Sequence, residues 1–402
     1  MVATHRRATL TLAAVAAGAT VFGAQGLSPA LPAVQKAFGI SDSQVGLITA
    51  AYMLPGVLMA IPLGYLADRL GRRIVFSSTA LVYGVAGAAQ ALAPSFTALI
   101  ALRVVQGIGF AALMPLSVTL IADTFSTKEQ VKAQASRQIS MALCELVLPI
   151  VGAALAGLSW RWPLAAQGVV VPIAFVGLAV LDDRKAPVHE NGYRGELAEA
   201  LRQPGMFAVL LAGFLRFWCK FALVGYLPTI LVHRHGASLT QAATVLSVAA
   251  GVAAAVNFGV VRALHRLPGS LMLIASVIGV GVCLVLFALV PSWQVALVVA
   301  VGFGISDGTL QVLQNAFVAV AAPERVRGGL IAFSGMTRNG GKLVAPLAVG
   351  ALLLAVSPAA AFAIIGISTW VLVPALRPLR QLDGLLRPTA EVELLAAQEA
   401  AA

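Results

Sequence analysis

Charge is scarce in this chain. Of 402 residues, 16 are acidic and 27 basic, and charged residues make up 11% of the whole, against about a quarter in an ordinary soluble domain. So little polar surface cannot be wetted all round, which excludes a soluble fold. Cysteine is nearly absent. Cys144, Cys219 and Cys283 each lie inside an apolar run, where they read as small core residues and not as a disulfide framework. None of the five histidines falls in an apolar segment, which argues against a histidine proton relay. No GxxxxGK[ST] phosphate loop and no His/Cys ligand cluster occurs. Neither an ATP engine nor a metal is expected, and no cofactor is implied.

What the chain has is apolar length. Apolar residues make up 59% and the mean hydropathy is +0.92. A membrane helix takes about 20 residues, and twelve such segments can be read. They fall near 8–30, 43–67, 73–93, 96–122, 129–158, 163–181, 206–232, 238–261, 271–291, 292–321, 327–356 and 358–376. The fold class expected is an all-α integral membrane protein with twelve transmembrane helices. Ser41, Ser126 with Glu129, and Ser238 mark helix starts. His5-Arg6-Arg7 ahead of the first apolar run reads as the head of a first span.

The net charge of +11 sets orientation; no nucleic-acid partner is expected. With the amino terminus in the cytoplasm, nineteen basic residues fall in cytoplasmic segments and only Lys36, Arg161 and Arg234 fall outside. That is the positive-inside pattern. Both termini are therefore expected in the cytoplasm, with the chain multi-pass in a plasma (inner) membrane.

A polar stretch, 182–205, separates six spans from six. The expected organisation is a bundle over 1–181, a cytoplasmic loop over 182–205, a second bundle over 206–380 and a polar cytoplasmic tail over 381–402. The two six-helix bundles correspond weakly at an offset near 197. Pro149 matches Pro346, Gly107 matches Gly304, and Arg69-Leu70 matches Arg266-Leu267. Parallel repeats of this kind place a transport site at their interface. Residues 194–203 read as a short surface helix.

Charge inside a bilayer is costly and marks function. Arg103, Glu145, Arg216, Lys220, Asp307, Arg338 and Lys342 fall on spans four, five, seven, ten and eleven. Spans three, six, nine and twelve have none, so those four are expected to face lipid. Arg216 and Lys220 share a helix face by their spacing of four, as do Arg338 and Lys342. Asp307, Gln311, Gln314 and Asn315 form a polar stripe on span ten, and Gln25 lies on span one. Each basic pair must meet water, an acid or an anionic ligand. Glu145 corresponds to Lys342 at the 197 offset. The two can bridge the halves as a buried ion pair or face the cavity from opposite sides. Glu145 is expected to be the main proton carrier, with Asp307 the other available acid.

After span two the chain reads Gly64-Tyr65-Leu66-Ala67-Asp68-Arg69-Leu70-Gly71-Arg72-Arg73. This resembles the signature loop of the major facilitator superfamily between helices two and three. The resemblance implies a gating loop built on Gly64, Asp68, Arg69, Gly71, Arg72 and Arg73. Arg103-Val104-Val105-Gln106-Gly107-Ile108-Gly109 is similar to the superfamily's helix-four motif, which implies that Arg103 lies near the proton site. Span five carries Glu145, Pro149, Gly152 and Gly157, similar to the antiporter motif of the twelve-helix drug:proton branch. Leu148 and Ala153 stand where that motif has glycines. The second-half loop, Arg262 to Gly269, lacks the acid, which implies an asymmetric latch.

The expected function is a proton-coupled secondary transporter that exports small amphipathic compounds or drugs by alternating access. A net intramembrane charge of +3 favours an anionic or zwitterionic substrate. The alternative is a proton-coupled uptake symporter for a small organic anion, and more distantly a non-transporting membrane receptor or enzyme. The adjacent pairs Ser306-Asp307 and Cys144-Glu145 do not face each other on a helix, so no enzyme is expected. The partners are a small-molecule substrate, protons and the lipid bilayer, with the chain as a monomer.

Overall fold

The computed structural model describes residues 2–182, 193–264, 266–321 and 327–386. Twelve helical spans follow in chain order. Span one runs Val2–Val21, then through a π turn at Phe22–Gly26 and a 3-10 turn at Ser28–Ala30 into Leu31–Phe38. It therefore extends past the expected end at residue 30. Pro29 and Pro32 sit in first-turn positions of new segments, where a missing N–H costs nothing. Span two is Asp42–Leu58 and Ala60–Leu70, span three Arg72–Ala89, span four Phe96–Thr124 and span five Thr127–Leu158. Span six comprises Trp162–Ala165, Ala166–Val170 and Val171–Val180. Spans seven to eleven are Pro204–His235, Leu239–Leu264, Gly269–Leu289, Trp293–Ala321 and Arg327–Leu352. Span twelve is Pro358–Val371, bent by 44° into Val373–Leu382.

Among the described residues, nine helices are long and apolar enough to cross a membrane, or ten with the bent pair of span twelve. Spans two and eleven fall short for evident reasons. Span two is interrupted at Met59, leaving a 17-residue piece. Span eleven carries Arg338 and Lys342 in its middle. The central segment 183–192 and the tail 387–402 lie outside the described residues. Between them, Tyr193–Arg202 forms the surface helix expected there. Ala200 and Leu201 pack against Met206, Leu210 and Leu330 at the feet of spans seven and eleven.

The 197-residue repeat is written into the turns. Gly39 and Gly236 end spans one and seven with φ of 63° and 61°, a left-handed cap that glycine adopts without cost. Two residues on, Ser41 caps span two together with Gln44, and Ser238 caps span eight with Gln241. The packing repeats as well. Spans two and four meet where the Gly107 α-carbon lies against the Tyr52 carbonyl and Pro55. Spans eight and ten meet where Gly304 lies against the Ala249 carbonyl and Val252. All three pairs are 197 apart. Such close backbone approach is how membrane helices associate where no hydrophobic force drives them.

Across the halves, span two packs on span eleven and span five on span eight. Spans three, six, nine and twelve make their principal contacts within their own half, in keeping with a lipid-facing position. The two halves are pinned toward the end bearing Gly39 and Gly236. There Ser28 bonds the Val224 carbonyl. The Tyr226 hydroxyl accepts from Gly46 N–H at 3.1 Å and donates to the Pro346 carbonyl at 3.1 Å. His233 Nδ1 also lies 3.7 Å from Asp42 Oδ1. At mid-depth, Asn339 donates to the Gly56 carbonyl at 3.2 Å. Among the described residues no side-chain bond joins the halves at the opposite end. There the Ser126 hydroxyl, followed by Arg6, holds the Glu129 carboxyl down to about 2, a contact within the first half.

Gly152 is the tightest point in the first bundle. A Cβ there would lie 1.7 Å from the Gly26 carbonyl oxygen, whereas one on Gly157 would meet nothing within 4 Å. Gly152→Ala is therefore expected to lower the thermal unfolding midpoint of the detergent-solubilised protein by several degrees, since overpacking costs about 1–3 kcal/mol. Gly157→Ala is expected to leave it unmoved. Equal midpoints for the two variants would show that the span one–span five seam relaxes freely.

Candidate functional site

The charged residues of four spans converge at mid-depth between the halves. Arg216 and Lys220 sit one turn apart on span seven, facing Asp307 on span ten. Arg216 Nε donates to Asp307 Oδ1 at 2.6 Å and its Nη2 to Oδ2 at 3.2 Å, a bidentate fork. The same Nη2 reaches Gln311 Oε1 at 3.0 Å. Lys220 Nζ donates to Asp307 Oδ2 at 3.1 Å. One carboxylate thus neutralises two cations that would otherwise repel on one helix face. All three side chains are at most 7% exposed.

Lys220 has a second acid. Its Nζ lies 3.0 Å from Oε2 of Glu145, on span five of the opposite half. Glu145 is 21% exposed, whereas Asp307 is 3% exposed. Its other oxygen accepts from Gln25 at 2.9 Å. Gln25 is presented by the π turn of span one, and such wide turns recur at functional sites. Glu145 therefore pairs with Lys220. The alternative expectation of a Glu145–Lys342 ion pair is not what the structure shows: the Lys342 ammonium lies instead over aromatic rings. Its Nζ is 4.7 Å from the Phe217 ring centre, 5.7 Å from Phe110 and 5.8 Å from Phe221. Arg338, one turn away, donates to Asn315 Oδ1 at 3.3 Å.

Two expected cavity or proton-site residues lie elsewhere. Arg103 is fully buried within the first half. It donates to the Gly23 carbonyl at 3.0 Å and to Gln106 Oε1 at 2.9 Å, and lies over the Tyr52 ring. No carboxylate among the described residues pairs with it. The carbonyl that this arginine binds belongs to the π turn of span one. Gln314 is 1% exposed and donates to Ser334 at 3.2 Å. It packs where Gly213 leaves room on span seven, away from the ion network.

In the loop after span two, Gly71 takes φ 97° and breaks span two from span three. Arg72 pairs with Asp123 at the foot of span four and donates to the Thr119 carbonyl at 3.2 Å. Arg69 is exposed and Arg73 half-buried. Gly64 has open space beside it rather than a close neighbour. The side chain of Asp68 lies outside the described ones. On span five, Pro149 sits inside the helix one turn before the Gly152–Gly26 contact.

Sequence reasoning missed three features. Asp123 is the acid that meets the loop arginine. Arg137, one of the nineteen basic residues counted as cytoplasmic although it falls in the segment read over 129–158, lies inside span five at 6% exposure. It donates only to neutral atoms, to Gln134 at 3.0 Å, Gln138 at 3.1 Å and Ser117 at 3.4 Å. The helical stripe Gln134, Arg137, Met141, Glu145 was the available signal. Phe110, Phe217 and Phe221 were missed because aromatics in apolar spans carry no distinguishing pattern.

The comparisons with known proteins agree with this architecture. A family model described as Major Facilitator Superfamily matches residues 13–346. A bacillibactin exporter of Bacillus subtilis is 32% identical over 143 residues, 34% of this chain and 35% of that protein. The match thus spans about a third of that relative's length. A niacin transporter of Acinetobacter baylyi is 38% identical over 88 residues, 22% of this chain and 20% of that one. In fold, the chain resembles an inward-facing, occupied bacterial homologue of the human lysosomal transporter Spinster. The TM-score is 0.73 and the identity 20%, covering 98% of this chain and 97% of that one. Twelve spans in two repeated bundles, polar at their seam, with a family match over most of the length, place the chain in the Major Facilitator Superfamily as a multi-pass integral membrane protein.

Proposed function

We propose that the protein is a proton-coupled exporter of small amphipathic compounds, anionic or zwitterionic, working by alternating access. The observation that carries this reading is the contact between Glu145 and Lys220, the ion pair that joins the two halves at mid-depth. Asp307 holds Arg216 and Lys220 within one half, so its own protonation would not release the other half. Glu145 differs. A proton on its carboxylate removes the ionic link across the seam while Lys220 keeps Asp307 as partner. The halves are then free to rock, and loss of the proton restores the link. Gln25, donating to Glu145 Oε1, holds the carboxyl group in place through that cycle. Arg103, bonded to the adjoining π turn at Gly23, acts as a positioning residue for span one.

With the amino terminus in the cytoplasm, the pinned end bearing Gly39 and Gly236 is external, and the molecule is open inward. Arg72 with Asp123 is then a cytoplasmic latch, and Pro149, whose ring removes a helix hydrogen bond, with the Gly152–Gly26 contact is the hinge of span five. The unbalanced cations Arg338 and Lys342 favour a substrate carrying negative charge. A second reading, uptake of a small organic anion with a proton, draws on the same cations and on the named activity of the niacin transporter relative.

Reconstituted into liposomes with a trapped pH-sensitive dye, the protein is expected to move protons against substrate, and carboxylated dyes in preference to quaternary-ammonium ones. Co-directional proton movement would favour uptake. Glu145→Gln is expected to lower the initial gradient-driven rate at least about tenfold while retaining counterflow exchange. Full gradient-driven transport by that variant would remove Glu145 from its role.

The ion network also predicts a stability pattern. Breaking a buried pair from one side costs about 3–5 kcal/mol, because an uncompensated charge is left behind. Glu145→Gln combined with Lys220→Gln is therefore expected to cost less than the sum of the two single changes, read as unfolding midpoints. Additive shifts would mean that the pair is not coupled.

A further inference from the structure

The cations at the seam fall into two groups. Arg216 and Lys220 already have carboxylates at ion-pair distance. Arg338, Lys342 and Arg137 have none among the described residues. Lys342 is held by the faces of three phenyl rings, with Glu145 acting on it only at longer range. The described bond of Arg338 goes to a neutral amide. Arg137 lies on span five of the opposite half, bonded to neutral partners only, and its charge is felt at Arg338.

Arg338 stands against the charges of Arg137 and Lys342, and only Glu145, at longer range, offsets the charge on Lys342. A ring face gives an ammonium about 0.5–2 kcal/mol, a weak substitute for water or a carboxylate. Arginine presents a planar fork suited to a carboxylate, and here that fork is occupied only by a single amide oxygen. The ring wall has a second use. If an anion draws the Lys342 ammonium toward itself, the faces of Phe110 and Phe221 lose their cation, while Phe217 keeps the Arg216 guanidinium 4.8 Å from its ring centre. A flat apolar group would cover them.

We propose that Arg338 and Lys342, with the phenyl wall of Phe110, Phe217 and Phe221, form the substrate seat for an aryl carboxylate, and that Arg137 closes over its anion from the other half. This deepens the anionic-substrate reading above and rests on it. The seat is distinct from the Glu145–Lys220–Asp307–Arg216 network. Substrate charge and proton are thus handled by different side chains on neighbouring turns. The bound carboxylate turns the repulsion between Arg137 on span five and Arg338 on span eleven into attraction, which favours closing the open end only when substrate is present.

Calorimetric titration of the purified full chain in detergent, with no proton gradient, tests this with 2-naphthoate, 2-naphthamide, 2-naphthyltrimethylammonium and inorganic phosphate. Naphthoate is expected to bind at least tenfold more tightly than naphthamide, at least about 1.4 kcal/mol, with no binding of the ammonium compound. Phosphate, lacking an aryl body, is expected to compete poorly. Arg338→Gln, Lys342→Gln and Arg137→Gln should each weaken naphthoate at least tenfold and leave naphthamide unchanged, whereas Lys342→Arg should retain the preference for the acid. Equal affinity for acid and amide overturns the proposal, as does naphthoate affinity indifferent to the three glutamine changes. Phosphate competing as well as naphthoate overturns the aryl part. Should the glutamine variants not fold, the acid–amide comparison on the unaltered chain decides. The outcome separates from that of the transport reading. Naphthoate binding without proton movement rejects the coupling alone, and proton-driven export of a cationic dye without naphthoate binding rejects this seat alone.

Discussion

A charge inside a membrane protein needs a counter-charge, and the middle of this molecule is organised around that need. Asp307 is buried with two cations, and Lys220 is shared between Asp307 and Glu145. Because the interior is poorly screening, each of these side chains depends on the others for its place. Because Glu145 and Lys220 stand on opposite halves, the same electrostatics that holds the centre together also couples the bundles. The only member of the network with appreciable exposure is Glu145. Among the described residues, the carboxylate–ammonium link across the seam at mid-depth is therefore also the one left partly exposed for a proton to reach.

The scaffold around that centre is nearly symmetric and the charges are not. Capped turns, glycine contacts and span pairings recur at a shift of 197. Even the bond of Arg137 to Ser117 has a counterpart at that shift in the Ser334–Gln314 pair. At the same shift, however, Asp307 faces the position of Phe110, and Lys342 that of Glu145. One half supplies most of the cations, while the other supplies the accessible acid and part of the aromatic wall. Symmetric bundles give two equivalent ways of rocking about the seam. Unequal chemistry on the two faces is what lets proton and substrate act on that motion differently.

Much of this was legible in the residues. Twelve apolar lengths, alternating basic connections and the six-plus-six division follow from hydropathy and charge, since the bilayer sets the length of every span. The segments in which a reading by apolar length fails, spans two and eleven, fail for local reasons: a break at Met59 and two cations in mid-span. Residues 183–192 and 387–402 stand apart from that account. The site residues were legible as types. Intramembrane charges are few, and spacing of four on spans seven and eleven showed which of them share a face. Arg137 escaped because, near the polar start of the segment read over 129–158, it was counted with the cytoplasmic charges that set orientation. Asp123 escaped because an acid at a span end has no signature until its partner is known.

The sequence by itself determined the solvent, the number of spans, the repeat and the short list of costly charges, because each depends on composition and on one-dimensional spacing along a helix. Only the tertiary structure decided the pairings. It gave Glu145 to Lys220 and left Lys342 to three phenyl rings. It turned Arg103 inward to the Gly23 carbonyl and gave Arg137 only neutral partners on its own half. Spacing within a helix fixes which face a residue is on. Which residue it meets depends on how far one bundle is slid and tilted against the other, and that is set by glycine contacts and kinks, which no single helix carries.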